Sequence, residues 1–286
     1  MAAVTTPTLI TVAPTGAETE KANAPSLPVT LDELVSTARA CERSGAGVIH
    51  IHIRDSHARP SLDPVALRET VQAVREATDL VIQLSTGGAV TDSLTSRISV
   101  LDAEPDSCSL TCGTVNFGDD VFANPWTFIV ELYRRSQELE VVPEFEIFDL
   151  GQVYTLHRLL EREGLPYGGR IHCDFVLGVP GGMPGTITTL AAAVAALPDG
   201  ATWSATGVGR QTMPVALAAL AAGGHLRVGM EDTLTYSPGR PVRDNAELVE
   251  RAATLATLAQ RPPMSTEDAR ALLNVKDRRA GSRGVV

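Results

Sequence analysis

Eight short β-branched runs recur along the chain, each followed by a loop containing Gly, Pro or Thr and then by a helical stretch. The runs cover residues 9–13, 48–53, 80–84, 107–111, 141–148, 171–177, 202–205 and 226–228. The helical stretches cover 31–44, 64–78, 93–102, 126–139, 153–163, 186–196 and 214–222, and 245–260 follows the last run. Eight strand–helix units in 286 residues point to an α/β fold, a (β/α)8 barrel. Residues 266–273 read as an extra C-terminal helix. The rival is an open doubly wound sheet, but no GxGxxG follows the first run, which weakens its dinucleotide-binding version. Composition suits parallel strands. Aromatics are 4% and hydrophobics 44%, so the core must be built from Val, Leu, Ile and Ala. No low-complexity linker or charge run splits the chain. Residues 1–286 read as one catalytic domain, with 275–286 as a C-terminal tail.

Helix ends carry local signals. Thr30 and Glu33 make a capping box, and Asp63 before Pro64 reads as a cap and a first-turn proline. Ser44-Gly45 and Gly223-Gly224 mark helix ends. The formal charge of -10 disfavours nucleic acid and anionic membranes as partners. No apolar run is long enough to span a bilayer, and the first residues lack the basic-then-apolar order of a signal peptide. Cys41, Cys108, Cys112 and Cys173 are scattered without a CxxC spacing. That pattern argues against a disulfide framework and for a reducing cytoplasm.

The sharpest chemical signal is His50-Ile51-His52 within VIHIHIRD. Alternate side chains of a strand share a face, so Val48, His50, His52 and Arg54 point one way and Ile49, Ile51 and Ile53 the other. With the isoleucines against helices, both imidazoles enter the barrel at the carboxyl end of the strand, where barrel active sites form. Two such imidazoles either begin a Zn2+ site with one coordination position left open or form a hydrogen-bonded strand pair. A third ligand should come from another strand end. Arg227-Val228-Gly229-Met230-Glu231-Asp232 follows the last strand and offers Glu231 as ligand, Asp232 as base and Arg227 as a carboxylate partner. The plainer reading of that loop is a solvated ion pair. Glu18, Ser85, Ser109, Thr111, Glu144, Glu146 and Arg210 also fall at or near strand ends. His57 sits in a turn, His157 on a helix, and His172 and His225 open strands at the end away from the site. Trp126, Trp203 and the methionines read as packing residues.

Taken together, TGAET, VIHIHIRD, STGGAV, NFGDDVF, PEFEIFDLG, FVLGVPGGMPG, ATWSATGVGR and GGHLRVGMEDT resemble the β-keto acid cleavage enzymes over nearly the whole chain. The resemblance implies a (β/α)8 barrel with one catalytic Zn2+ in a homotetramer. It implies conversion of a β-keto acid and acetyl-CoA into acetoacetate and a new acyl-CoA. By position it makes His50, His52 and Glu231 the zinc ligands, Asp232 the base and Arg227 its partner. Ser85 becomes a substrate contact, Glu146 an active-site carboxylate, and Glu18 the group that holds a substrate amine. The implied substrate is 3-keto-5-aminohexanoate, an intermediate of lysine degradation, or another amino-bearing keto acid. Ser109 and Thr111 depart from the family pattern, which expects Thr and Asn at these pocket-facing positions.

The implied chemistry uses Zn2+ as a Lewis acid on the keto oxygen and Asp232 as base for the C2 proton. The enolate attacks acetyl-CoA, the released thiolate adds to the original keto carbon, and retro-Claisen collapse expels acetoacetate. CoA phosphates would rest on the Gly-rich loops and Arg210. A carboxylate in a dry pocket needs a cation, so a Glu18 facing the site would select an ammonium tail. The competing readings are a metal-dependent barrel hydrolase that runs without CoA and a catalytically silent keto-acid binder.

Overall fold

The computed structural model describes residues 6–279. Eight parallel strands close into a barrel in sequence order: β1 Ile10–Val12, β2 Val48–Ile51, β3 Val81–Leu84, β4 Ser107–Thr111, β5 Val142–Ile147, β6 His172–Leu177, β7 Thr202–Gly207 and β8 His225–Val228. The last strand pairs with the first, Ile10 opposite Leu226 and Val12 opposite Val228. The helices are α1 Leu31–Arg43, α2 Pro64–Ala77, α3 Leu94–Ser99, α4 Trp126–Glu138, α5 Leu150–Glu163, α6 Ile187–Ala195, α7 Thr212–Ala221 and α8 Asn245–Leu258. α9, Thr266–Leu273, is the added C-terminal helix. The fold is the (β/α)8 barrel, not the open sheet.

The caps read from sequence form as expected. Thr30 accepts from Glu33 N while Glu33 accepts from Thr30 N, and Asp63 accepts from Val65 N and Ala66 N ahead of Pro64. The largest boundary difference is α5, which starts at Leu150 because Asp149 caps it through Gly151 N. In α3 the helix narrows to a 3-10 turn at Val100–Ala103.

Alternation along the strands sorts the core. Ile49, Ile51, Ile82, Leu84, Leu110, Phe145, Ile147, Phe175 and Leu226 pack outward in the main apolar cluster with the helices. Polar side chains fill the interior instead, with Gln83, Glu144, Asp174, Ser204 and Arg227 all buried. α9 closes the amino-terminal end of the barrel, where Leu273, Ala269 and Met264 cluster with Leu9, Val48 and Val81. Each large side chain fully buried there contributes about 1.5–3 kcal/mol. Arg270 of α9 pins the plug by donating to Leu80 O and Asp106 Oδ2. Residues 275–279 of the expected tail are docked, with Arg278 donating to Leu139 O and Glu140 O; residues 280–286 lie outside the described residues.

Three antiparallel hairpins stand on the carboxyl ends of the strands. They pair Ile53–Arg54 with Pro60–Ser61, Val115–Phe117 with Asp120–Phe122, and Thr235–Ser237 with Arg240–Pro241. None was read from sequence, because strands of two or three residues carry no periodicity. Their effect is to build a wall around one mouth of the barrel. No helix of the described residues is long and apolar enough to cross a membrane, and Cys41, Cys108, Cys112 and Cys173 are free and buried.

Candidate metal centre and active-site cavity

His50 lies near the end of β2 and His52 just beyond it, where alternation keeps both rings on the inner side, 5.3 Å apart. Glu231 follows β8 and brings Oε1 to 3.9 Å from His50 Nε2 and 3.7 Å from His52 Nε2. One ligand atom from each of the three residues falls within 4.8 Å of the others, so this cluster could hold a metal ion. The surroundings prepare it. Gln83, register partner of His50 on β3, lies with Oε1 2.5 Å from His50 Nδ1; a proton on Nδ1 leaves the Nε2 lone pair facing Glu231. Burial, then Arg227, pushes His50 down to about 3, and burial lowers His52 as well, so both rings are neutral as metal ligation requires. Glu231 Oε2 is buried with no hydrogen-bond partner.

Arg227 on β8 is the hub beside this cluster. It donates to Glu146 Oε1 at 3.1 Å, Glu231 Oε1 at 2.5 Å and Asp232 Oδ1 at 3.1 Å. Three carboxylates around one guanidinium leave minus two when all are ionised (three minus one), a charge that a divalent cation offsets. Without that cation, burial raises Asp232 to about 7 despite Arg227, with Glu231 pushing the same way. Burial likewise raises Glu146 against Arg227. Burial also opposes the charge of Glu231, but Arg227, His52 and His50 outweigh it and hold the group at about 2.

These residues line a cavity of about 250 Å3 at the carboxyl ends of the strands. The sequence-derived residues divide into two sets. His50, His52, Ser85, Glu146, Arg227, Glu231 and Asp232 meet at the cavity, and Glu18 also lies on its wall. Ser85 Oγ accepts from Gly87 N, which fixes the turn after β3. Ser109 and Thr111, expected to face the pocket, sit behind the wall. Ser109 Oγ accepts from Thr86 N, and Thr111 Oγ1 donates to Glu146 Oε2 at 3.0 Å. Arg210 is exposed and off the cavity wall. Glu18 is exposed, so the dry-pocket premise for an ammonium partner is absent. Arg54 ties down the first loop, donating to Gly16 O and Thr19 O.

Of the remaining histidines, His57 is exposed and His157 Nε2 lies 2.8 Å from Ala196 O. His172 and His225 occupy the opposite end of the barrel with rings 5.9 Å apart, as strand order requires. Sequence reasoning missed the apolar part of the cavity wall: Phe117 and Phe122 from a hairpin, Phe148 after β5, and Val90, Val176 and Val179. The one available signal was the aromatic pair in NFGDDVF, spaced across the hairpin turn.

Comparison with known proteins agrees with this arrangement. The model of the beta-keto acid cleavage enzyme family matches residues 7–275. The chain is 36% identical over 270 residues to the 3-keto-5-aminohexanoate cleavage enzyme of Fusobacterium nucleatum subsp. nucleatum, covering 94% of this chain and 98% of that one. It is 32% identical over 277 residues to the 3-oxoadipate:acetyl-CoA acetyltransferase of Cupriavidus necator, covering 95% and 96%. The apo structure of ObcA superposes with a TM-score of 0.80 at 20% identity, over 89% of this chain and 66% of that longer one, and shares the fold.

Proposed function

The chain belongs to the β-keto acid cleavage enzyme family, and from that premise we propose a zinc-dependent acyltransferase that carries out R–CO–CH2–COO⁻ + CH3–CO–SCoA → CH3–CO–CH2–COO⁻ + R–CO–SCoA. The observation that carries this reading is the buried Arg227 hub, with three carboxylates, beside two neutral imidazoles and an unpartnered Glu231 oxygen. His50, His52 and Glu231 hold the ion. When bound, Zn2+ supplies Lewis-acid polarisation of the keto oxygen.

The chain's own residues do the rest. Asp232, on the cavity wall and held by Arg227, takes the C2 proton as general base. Arg227 orients Asp232 through Nη2 and Nε. Glu146, fixed by Thr111 and Arg227, holds the guanidinium in place. Ser85 offers a hydroxyl at the wall for the substrate carboxylate. Burial pushes the thiols of Cys108 and Cys112 up beyond the range of a nucleophile, so the route uses no enzyme thioester. Arg210 follows β7 at the same end of the barrel and is available to a CoA phosphate from outside the cavity. The described barrel acts as one catalytic domain and works as a homotetramer in the cytoplasm, without nucleic acid or membrane.

Relatives are named for an amino-bearing keto acid and for 3-oxoadipate. We do not extend the amino tail to this chain, because an exposed Glu18 bears no burial cost that a substrate ammonium would relieve. A barrel hydrolase is disfavoured because His172 and His225 lie at the wrong end to complete its metal site.

The test is incubation with acetyl-CoA and a 3-oxo acid, with acetoacetate and acyl-CoA followed by mass spectrometry. Turnover is expected to require acetyl-CoA, to be lost on chelation and restored by Zn2+, and to be absent in His50→Ala. Metal-replete protein that exchanges no thioester refutes the reading.

A further inference from the structure

Part of the cavity wall belongs to a third apolar cluster, separate from the main core and from the α9 plug, and it has no role in the chemistry above. Phe117, Phe122 and Phe148 stand edge to face, with ring centroids 6.2, 6.2 and 6.5 Å apart. Val90, Val176 and Val179 complete the patch, and all six line the cavity. The patch is built in advance of any ligand. The hairpin that carries Phe117 and Phe122 is clamped to the loop after β6, where Gly118 N donates to Pro180 O. Gly181 sits so close beneath the hairpin that an added methyl would meet Asn116 O at 2.2 Å. Arg97 braces Phe122 from behind, 4.6 Å from its centroid, while its guanidinium donates to Thr86 O, Ala123 O and Asn124 Oδ1.

Charge around the cavity narrows the occupant. Arg227 is the wall's arginine and is committed to three carboxylates, so it is not available to a second substrate carboxylate. Glu146, Glu231 and Asp232 belong to the hub, and Glu18 stands exposed with its charge acting on Arg54, so among the described residues no buried carboxylate of the wall is left over to pair an ammonium. An unpaired charge carried into such a surface loses its hydration without compensation, whereas an apolar group gains by leaving water.

We propose that this enzyme is selective for 3-oxo acids with an uncharged, apolar acyl tail, seated against Phe117, Phe122 and Phe148. The assignment rests on the reaction proposed above and fixes R in it. A cavity of about 250 Å3 that must also admit the keto acid head limits that tail to a short one.

The experiment is a panel of 3-oxo acids matched in length and ending in methyl, ammonium or carboxylate, read as kcat/KM for acyl-CoA formation by the metal-replete enzyme. Methyl-ended members are expected to exceed both charged series at least tenfold. Each added methylene should raise kcat/KM about fourfold until the cavity is full, equivalent to about 0.8 kcal/mol. An ammonium-ended or carboxylate-ended member that equals the methyl-ended one overturns the tail assignment while leaving the reaction intact. No acyl-CoA from any member overturns the reaction itself, and the assignment with it. Phe117 is half-buried on a hairpin, so Phe117→Ala is expected to fold, checked by circular dichroism. It should lower kcat/KM for the longest methyl-ended acid about tenfold more than for the shortest. An unchanged length profile, or an equal rise in the KM for acetyl-CoA with every keto acid, overturns the assignment and in the second case gives the wall to CoA.

Discussion

Gly16 shows how much of the proposed metal site depends on a residue with no functional group. Its φ of +62° lies in the left-handed region, and an added methyl would fall 2.6 Å from Glu231 Cγ. Alanine there costs about 1–2 kcal/mol in backbone strain and must also displace the carboxylate that completes the His50–His52 set. Gly200 has φ +78° with nothing within 4 Å of an added methyl, so Gly200→Ala carries the backbone cost alone. Gly16→Ala is expected to lower zinc affinity at least tenfold, measured by competition with a chelator, while Gly200→Ala keeps wild-type affinity. Equal affinities in the two variants would separate the first loop from the metal site. The residues that meet in this cluster were legible because HxH on a strand and Glu231-Asp232 are each adjacent in sequence. Gln83 was not singled out, although alternation with Ile82 and Leu84 places it inward beside His50. Ser109 and Thr111 show the limit of alternation: it gives the inner face of a strand but not the depth within the lumen, so a residue behind the wall reads like one upon it.

Among the elements, α6 and α7 differ from their neighbours. ITTLAAAVA and TMPVALAALA contain no charged residue, yet Ile187 is 73% and Leu217 51% exposed. A helix apolar on all sides is suited to burial on all sides, and these two are adjacent in the barrel ring. We take this face as the surface between copies in the proposed homotetramer. Light scattering coupled to gel filtration should therefore show the wild-type chain as an oligomer and Leu217→Asp as a smaller species with unchanged helical content. A monomeric wild-type chain, or a variant of unchanged size, removes the support that this face gives to assembly. Among the described residues, the eight barrel strands and nine α-helices were legible because each repeats its period for a turn or more, or runs apolar for several residues. The hairpins were not, since their pairing is set by turn geometry and by contacts such as Gly118 with Pro180. The aromatic wall was hidden for the same reason: it exists only once the 115–122 hairpin folds over the mouth.

For the molecule as a whole, the ionisable groups buried at the closed end of the barrel answer differently to pH. At the closed end, Glu144 Oε2 lies 3.5 Å from His172 Nε2, but burial keeps them from forming an ion pair. Burial, then Asp174 and Glu146, raises Glu144 to about 8, while burial lowers His172 to about 3. Between about pH 4.5 and 6.5 the unfolded chain carries that proton on the histidine and the folded chain carries it on the glutamate. The proton counts are equal, so this pair adds no slope to stability in that window. His225 is not offset in this way. Burial, then Arg261, lowers it to about 4, and its Nδ1 accepts from Leu9 N. Its contribution is complete above the unfolded value of about 6.5 and is lost as pH falls toward about 4, because the unfolded state takes up a proton that the folded state refuses. The slope is about 1.4 kcal/mol per pH unit for one proton. His225→Asn retains an acceptor for Leu9 N and removes the titration. Urea unfolding of metal-free protein should show the variant at or below wild-type stability at pH 7.5, where only packing is lost. Between pH 6.5 and 4.5 the wild type should fall toward and past the variant, with the difference in slope near one proton. Parallel profiles would show that His225 takes up its proton in the folded state and that the barrel floor is open to water.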